Sequence, residues 1–366
     1  MYHLLQDLLR DGCAARFCDM QTKVYSLFEE YEEGLTAAAK VIAEGGLCVF
    51  PTETVYGLGA DALNEQAVKS IFTAKGRPQD NPLIVHICDI SQADIAACDL
   101  SDMARKLLKR FWPGPFTAVL KKNSIIPDAV SAGLDTVGIR LPSSEYAREL
   151  IKRSGCMIAA PSANLSGKPS PTKAAHVIED MMGRVDVILD GGEADYGVES
   201  TVCDLTGEVP VILRPGGVTL EMIEEEVGCV KVANAVLNDL KEGEKAASPG
   251  MKYKHYSPRA NVTVIESEDH AVLAKELMLR YDKYVSAGRK TLILCTEDTY
   301  KLVCKTDVKC IGKTVREVAH RIFDELRQAD LDGFDEVLFE ATDISGMGLA
   351  VMNRMVRAAG FDVIKL

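Results

Sequence analysis

KGRPQDNPLIVHI, Lys75 to Ile87, decides how this chain is read. Two cations flank Gly76, two prolines and an Asn-Pro step follow, and the apolar run LIVHI comes directly after them. Proline fixes φ and asparagine favours turns, so the stretch reads as a rigid basic loop beside a buried strand. A loop that is merely solvated needs no such fixing. Arginine offers a planar fork to phosphate oxygens and lysine a point charge, which makes Lys75 and Arg77 candidate anion ligands. His86 falls within the strand, where a histidine is more often a satisfied core residue than a ligand.

Working outward, residues 32–46 predict a helix leading into the strand GLCVFP, and EQAVKSIFTAK predicts a helix ending at the basic loop. A helix over Ser101–Phe111 stops at WPGP. FTAVLKK, TVGIRLP, CMIAAPS and VDVILDGG are short apolar strands bounded by turn residues. The helices are few and short for the number of strands, which predicts a twisted α/β sheet of mixed strand direction. From Asn261 the pattern changes. NVTVIE, TLILCT, VKCIG, DEVLFEA and DVIKL alternate with helical segments, notably Thr314–Ala329 and Leu349–Ala359. This predicts a smaller, parallel, Rossmann-like α/β domain. The division expected is a 1–31 extension, a 32–230 catalytic domain, a 231–258 linker or lid, and a 259–366 C-terminal domain. Ser248–Pro258, SPGMKYKHYSP, reads as an ordered extended linker.

Other motifs carry chemistry of their own. Arg140 closes the apolar VGIR, and an arginine ending a buried strand needs an anionic partner, either structural or a substrate carboxylate. Arg214 stands likewise in VILRPGG, beside glycines that allow a ligand close approach. Pro161–Asn164 (PSAN), with Ser166, Ser170 and Thr172, is either a loop with helix caps or a set of neutral donors for phosphates and a nucleoside. GLGADA, Gly57–Ala62, matches G-x-G-x-x-A, but the polar PTETVY before it favours a glycine turn lining a pocket over a dinucleotide fingerprint. No Walker A loop is present in the sequence.

Composition narrows the classes. A net charge of −12 argues against tight binding to bulk nucleic acid while leaving room for a local cationic pocket. No apolar run approaches the ~20 residues of a bilayer span, and the N-terminus lacks the pattern of a secretory signal. The eleven cysteines form no CxxC pair, which disfavours structural zinc, and their odd number suits a reducing cytosol.

Residues 35–217 carry PTETVYGLGADA, KGRPQDNPLIVHI, TVGIRLP, APSANLSGKPSPT, VESTV and LRPGG in that order. Together these resemble the catalytic domain of the threonylcarbamoyl-AMP synthase (YrdC-like) family. Residues 248–366 resemble the linker and C-terminal domain of its long members, through HYSP at His255–Pro258 and GLAVMNRMVRAA at Gly348–Ala359. The resemblance implies a cytoplasmic nucleotidyltransferase that makes threonylcarbamoyl-AMP and pyrophosphate from L-threonine, bicarbonate and ATP, with Mg2+ on the phosphates. A tRNA-modifying transferase complex would then pass the threonylcarbamoyl group to an adenosine next to the anticodon. By resemblance, Thr54, His86, Arg140 and Ser200 hold threonine. Arg77, Asn81, Thr136, Ala160, Ser162, Ser170, Arg214 and Tyr256 hold ATP, and Lys75 neutralises phosphate charge. The rival readings are a non-catalytic RNA-binding module of the same fold, a hydrogenase-maturation carbamoyl-transfer protein (which needs the CxxC pairs missing here), and a dehydrogenase built on GLGADA.

Overall fold

The larger of two sheets threads eleven strands through the first part of the chain. In the computed structural model, which describes residues 21–236, 238 and 256–366, these strands are β1 (Lys23–Ser26), β2 (Cys48–Phe50), β3 (Gly57–Asp61), β4 (Ile84–His86), β5 (Phe116–Lys121), β6 (Thr136–Arg140), β7 (Ile158–Ala160), β8 (Val187–Asp190), β9 (Thr201–Asp204), β10 (Val211–Arg214) and β11 (Lys231–Val232). Their order is β1-β8-β2-β3-β7-β4-β6-β5-β9-β10-β11. Parallel pairs such as β4/β6 and β5/β9 alternate with antiparallel pairs such as β3/β7 and β5/β6. This is the mixed sheet expected. It includes Lys23–Ser26, within the stretch read as an extension, and Lys231–Val232, at the start of the stretch read as a linker.

The second sheet is wholly parallel: β12 (Asn261–Glu266), β13 (Thr291–Thr296), β14 (Val308–Gly312), β15 (Glu336–Glu340) and β16 (Val363–Lys365), in the order β14-β13-β15-β12-β16. β15 is inserted between β13 and β12, the crossovers being made by helices such as His270–Ser286 and Val315–Leu331.

The reading of GLGADA as a turn is corrected: Gly57–Asp61 is strand β3, antiparallel to both β2 and β7. The glycines are needed for packing. A Cβ on Gly59 would stand 2.6 Å from Ile158 Cγ2 and 2.7 Å from Phe50 Cε1. The ring of Phe50 fills the space that side chains on this face would take. Gly57 still contributes to the pocket described below.

The two units share a core. Val55 and Val198, from the first sheet's loops, and Tyr256 pack in one apolar cluster with Val318, Ile322, Phe323, Val351 and Met355 of the C-terminal domain. The helix Gly348–Ala358 is buried along its whole length. Most of the Ser248–Pro258 stretch lies outside the described residues, which resume at Tyr256.

Candidate active site

Helix Glu65–Lys75 opens on Asn64, whose side chain caps Ala67 N, and ends where Gly76 turns left-handed (φ 61°). Arg77 N then donates to Phe72 O at 2.9 Å. This glycine C-cap reverses the chain directly after Lys75 and separates the two cations. Lys75 stays buried, its Nζ donating to Ser162 O and Asn164 O at 2.5 Å each and to Asn164 Oδ1 at 3.3 Å. Three acceptors match the three protons of an ammonium. Burial, then the neighbouring Arg77, holds the Lys75 amine well below its ordinary range. Arg77 enters the pocket wall, its guanidinium 5.8 Å from the Phe72 ring centroid and its Nη2 donating to Asn81 O at 3.3 Å. Its pKa is drawn down to about 10, chiefly by burial.

The pocket is a cleft of about 620 Å³, part of it open to solvent. Thr54, Arg77, His86, Arg140, Ala160, Ser162, Ser200, Arg214 and Tyr256, all singled out in the sequence, lie on its wall. β-sheet register brings several of them together. His86 and Arg140 are direct partners at the ends of β4 and β6, Thr117 of β5 is Arg140's other partner, and Ala160 of β7 lies opposite Ile84. Thr117 Oγ1 and Ser200 Oγ stand 2.8 Å apart, and Arg214 Nη2 donates to Ser200 O at 3.0 Å and to Ser200 Oγ at 3.2 Å.

The other four residues sit behind the wall or beside it. Lys75 braces the Ser162–Asn164 loop from beneath. Asn81 lends its carbonyl to Arg77. Ser170 donates to Glu199 Oε1 at 2.5 Å. Thr136 lines an adjoining cleft with Thr117, Leu134 and Val202, which shares only Ile84 with the main pocket.

Two acids that sequence reasoning passed over organise the site. Glu53 Oε1 lies 2.6 Å from Arg140 Nη2, while Arg140 Nη1 donates to Thr54 Oγ1 at 2.9 Å. Of the two partners weighed for Arg140, the structure supplies the structural one. Burial pushes the Glu53 carboxyl up, and Arg140 more than offsets this, so it sits below its ordinary value. Glu199, on the pocket wall, pairs with Arg354 of the C-terminal domain at 2.9 Å. It too sits below the ordinary range, burial being outweighed by Arg354 and then Arg214. In PTET and VEST each acid stands beside a pocket hydroxyl, but its arginine partner lies 87 residues away for Glu53 and 155 for Glu199, so the sequence does not pair them.

His86 is neutral. Burial, then Arg140, lowers its pKa to about 3, and Nδ1 lies 3.2 Å from Ile84 O. With Nδ1 donating to that carbonyl, Nε2 is an acceptor. Among the described residues no group of three or more His, Cys, Asp or Glu is placed to hold a metal ion. No helix among them is long and apolar enough to cross a membrane.

Cations thus outnumber acids around a hydroxyl-rich cleft, a setting for an anionic ligand. Comparison with known proteins agrees. A profile of the Sua5/YciO/YrdC family, described as telomere recombination, matches residues 40–216, and one described as threonylcarbamoyl-AMP synthase, C-terminal domain, matches 218–360. The chain is 47% identical over 348 residues to the threonylcarbamoyl-AMP synthase of Pyrococcus abyssi, covering 94% of this chain and 100% of that protein. It is 46% identical to the Bacillus subtilis synthase, covering 90% and 94%. The solved structure of P. abyssi Sua5 complexed with L-threonine superposes with a TM-score of 0.87 at 45% identity, over 95% of this chain and 99% of that one. The chain belongs to the threonylcarbamoyl-AMP synthase family, in its two-domain form. It is an enzyme of the nucleotidyltransferase type.

Proposed function

We propose that this enzyme makes threonylcarbamoyl-AMP and pyrophosphate from L-threonine, bicarbonate and ATP, supplying a cytoplasmic transferase complex that modifies the adenosine next to the tRNA anticodon. The observation that carries the reading is the convergence of Arg77, Arg140 and Arg214 with Thr54, Ser162 and Ser200 on one pocket, together with the threonine bound by the P. abyssi relative.

The reaction needs few proton transfers from the protein. Threonine's amine nitrogen attacks the carbon of CO2 drawn from bicarbonate, and loss of the ammonium proton leaves a carbamate. A carbamate oxygen then attacks the α-phosphorus of ATP, the bond from that phosphorus to the α,β-bridging oxygen breaks, and pyrophosphate leaves with that electron pair. The difficulty is to gather anions in line and to stabilise the charge that builds at phosphorus, so positioned cations dominate. Arg140, held by Glu53 and Thr54, takes the threonine carboxylate. Ser200 and the acceptor Nε2 of neutral His86 take its hydroxyl or amine. Arg77, Arg214 and Ser162 take the phosphates, with Ala160 and Tyr256 against the nucleoside. Lys75 acts by fixing the Ser162–Asn164 loop, and Asn81 and Ser170 support Arg77 and Glu199. Glu53 and Glu199 are both spent on arginines, so Mg2+ comes with the ATP phosphates. The bound substrates themselves fill the cleft and so shield a carbamate that water would otherwise decompose.

The test is pyrophosphate release by the purified protein, omitting threonine and bicarbonate in turn. Release that requires both is expected. Release indifferent to threonine would overturn the assignment of the acceptor, and no release under any combination would overturn the reaction.

A further inference from the structure

Arg354 is the largest side chain with no exposed surface in the described protein. It belongs to the buried C-terminal helix Gly348–Ala358 yet reaches the first domain. Its Nε donates to Glu199 Oε2 at 2.9 Å and its Nη1 to Pro215 O at 2.8 Å. Its guanidinium carbon lies 5.6 Å from the Tyr256 ring centroid. That ring stacks on Phe323 of the neighbouring helix (5.2 Å between centroids, 27° between planes) and forms part of the pocket wall. Among the described residues, Arg354 Nη2 is buried without a hydrogen-bond partner. A guanidinium this deep exacts a heavy desolvation cost, and Glu199 supplies the opposite charge that offsets it, beside the neutral acceptors Pro215 O and Asn353 Oδ1.

We propose that Arg354 is a positioning residue of the active site, fixing Glu199 and Tyr256 in the pocket wall so that the catalytic pocket is complete only when the C-terminal domain is docked. Through Glu199 the same residue sets Ser170, and through Pro215 it holds the Arg214-Pro215-Gly216 turn whose arginine grips Ser200. One side chain of the second domain therefore bears on both the Ser170 and the Ser200 sides of the pocket. The inference rests on the synthase reading above.

Glu199 is faced by Arg354 from the C-terminal helix, by Arg214 from the end of β10, and by Ser170 and Tyr256, with Lys75 near enough to feel its charge. Removing Arg354 takes away the strongest attraction opposing burial, so Glu199 would protonate at higher pH.

The experiment follows threonine- and bicarbonate-dependent pyrophosphate release by the full chain as wild type, Arg354→Gln, Arg354→Lys, Glu199→Gln and the Arg354→Gln/Glu199→Gln double variant. Inactive wild type would sink the synthase reading itself. With active wild type, Arg354→Gln is expected to lower kcat/KM for ATP on the order of 100-fold, as for a desolvated charge pair left half made. Its acid limb should move to higher pH, because Glu199 loses the cation that holds its carboxyl ionised. Arg354→Lys should recover part of the rate, and the double variant should be no worse than Glu199→Gln. Defects that multiply in the double variant, or an acid limb that stays put, would show that Arg354 merely supports folding and overturn the proposal. Should Arg354→Gln fail to fold, Arg354→Lys decides: full activity with an unmoved pH profile overturns it, and a reduced kcat/KM for ATP at unchanged melting temperature upholds it.

Discussion

Glu53 Oε1 and Arg140 Nη2 lie 2.6 Å apart, with 3% and 4% of their side chains exposed. Removing one partner strands the other charge in low dielectric, so Glu53→Ala is expected to cost about 3–5 kcal/mol of stability, read by urea denaturation. The pH dependence has a definite sign. The Glu53 pKa lies below its ordinary 4.5 in the folded state, so its contribution is present above that value and is lost as pH falls through the folded one. A Glu53→Ala chain should therefore lose less stability than wild type on acidification below pH 4.5. Equal slopes for the two proteins would show that the pair does not carry this dependence.

His86 gives a second, separate window. Its pKa falls from 6.5 to about 3 on folding, so the unfolded chain binds the extra proton between those values and stability rises with pH there. At pH 5 this group alone should withdraw about 2 kcal/mol of the stability present at neutral pH. An NMR titration should find its imidazole neutral down to the pH at which the protein unfolds. An imidazole titrating near 6.5 in the native state would contradict the burial of its charge.

Lys75 and Arg77 should separate in experiment although they are two residues apart. Lys75→Met leaves the carbonyls of Ser162 and Asn164 without their donor, at about 1–3 kcal/mol for each buried group. It should lower both Tm and kcat. Arg77→Ala faces the pocket and should weaken ATP binding, with a smaller loss of Tm than Lys75→Met because it takes the donor from one carbonyl, that of Asn81, rather than from two. Calorimetry beside ATP-dependent kinetics separates the two, and equal losses of Tm would refute the division of labour.

Much of the site was legible because local rules mark it. Gly76 ends a helix and delivers Arg77, and Arg140 and Arg214 each close an apolar strand, so their types and places were readable in order. The acids Glu53 and Glu199 were not, because their partners Arg140 and Arg354 stand far away in the chain and only folding pairs them. Lys75 and Arg77 look equivalent in sequence, yet the left-handed turn at Gly76 sends one beneath a loop and the other into the pocket. GLGADA misled for a related reason. Glycine signals freedom in a turn, and here it signals the width of Phe50 on the facing strand. That packing reason makes Gly59→Ala a prediction: its methyl would press on Ile158 and Phe50, costing about 1–3 kcal/mol as overpacking does, which denaturant titration will read.

Gly197 tests how far activity depends on the docked second domain. It holds φ +74°, and a Cβ there would stand 2.4 Å from His320 Cα and 2.5 Å from Ala319 O, on a helix of the C-terminal domain. Backbone rather than a flexible side chain blocks the space, so the helix must retreat or the loop must move. The loop continues into Val198, Glu199 and Ser200, which pack against that domain or line the pocket. Gly197→Val should therefore part the domains locally: activity falls on the order of tenfold or more, for a displacement of about 1 Å at groups that position substrate. The Phe323 contact with Tyr256 should loosen with it, which hydrogen exchange over Val315–Leu331 will report as faster exchange than in wild type. Full activity with unaltered exchange would mean that the pocket tolerates the second domain's withdrawal.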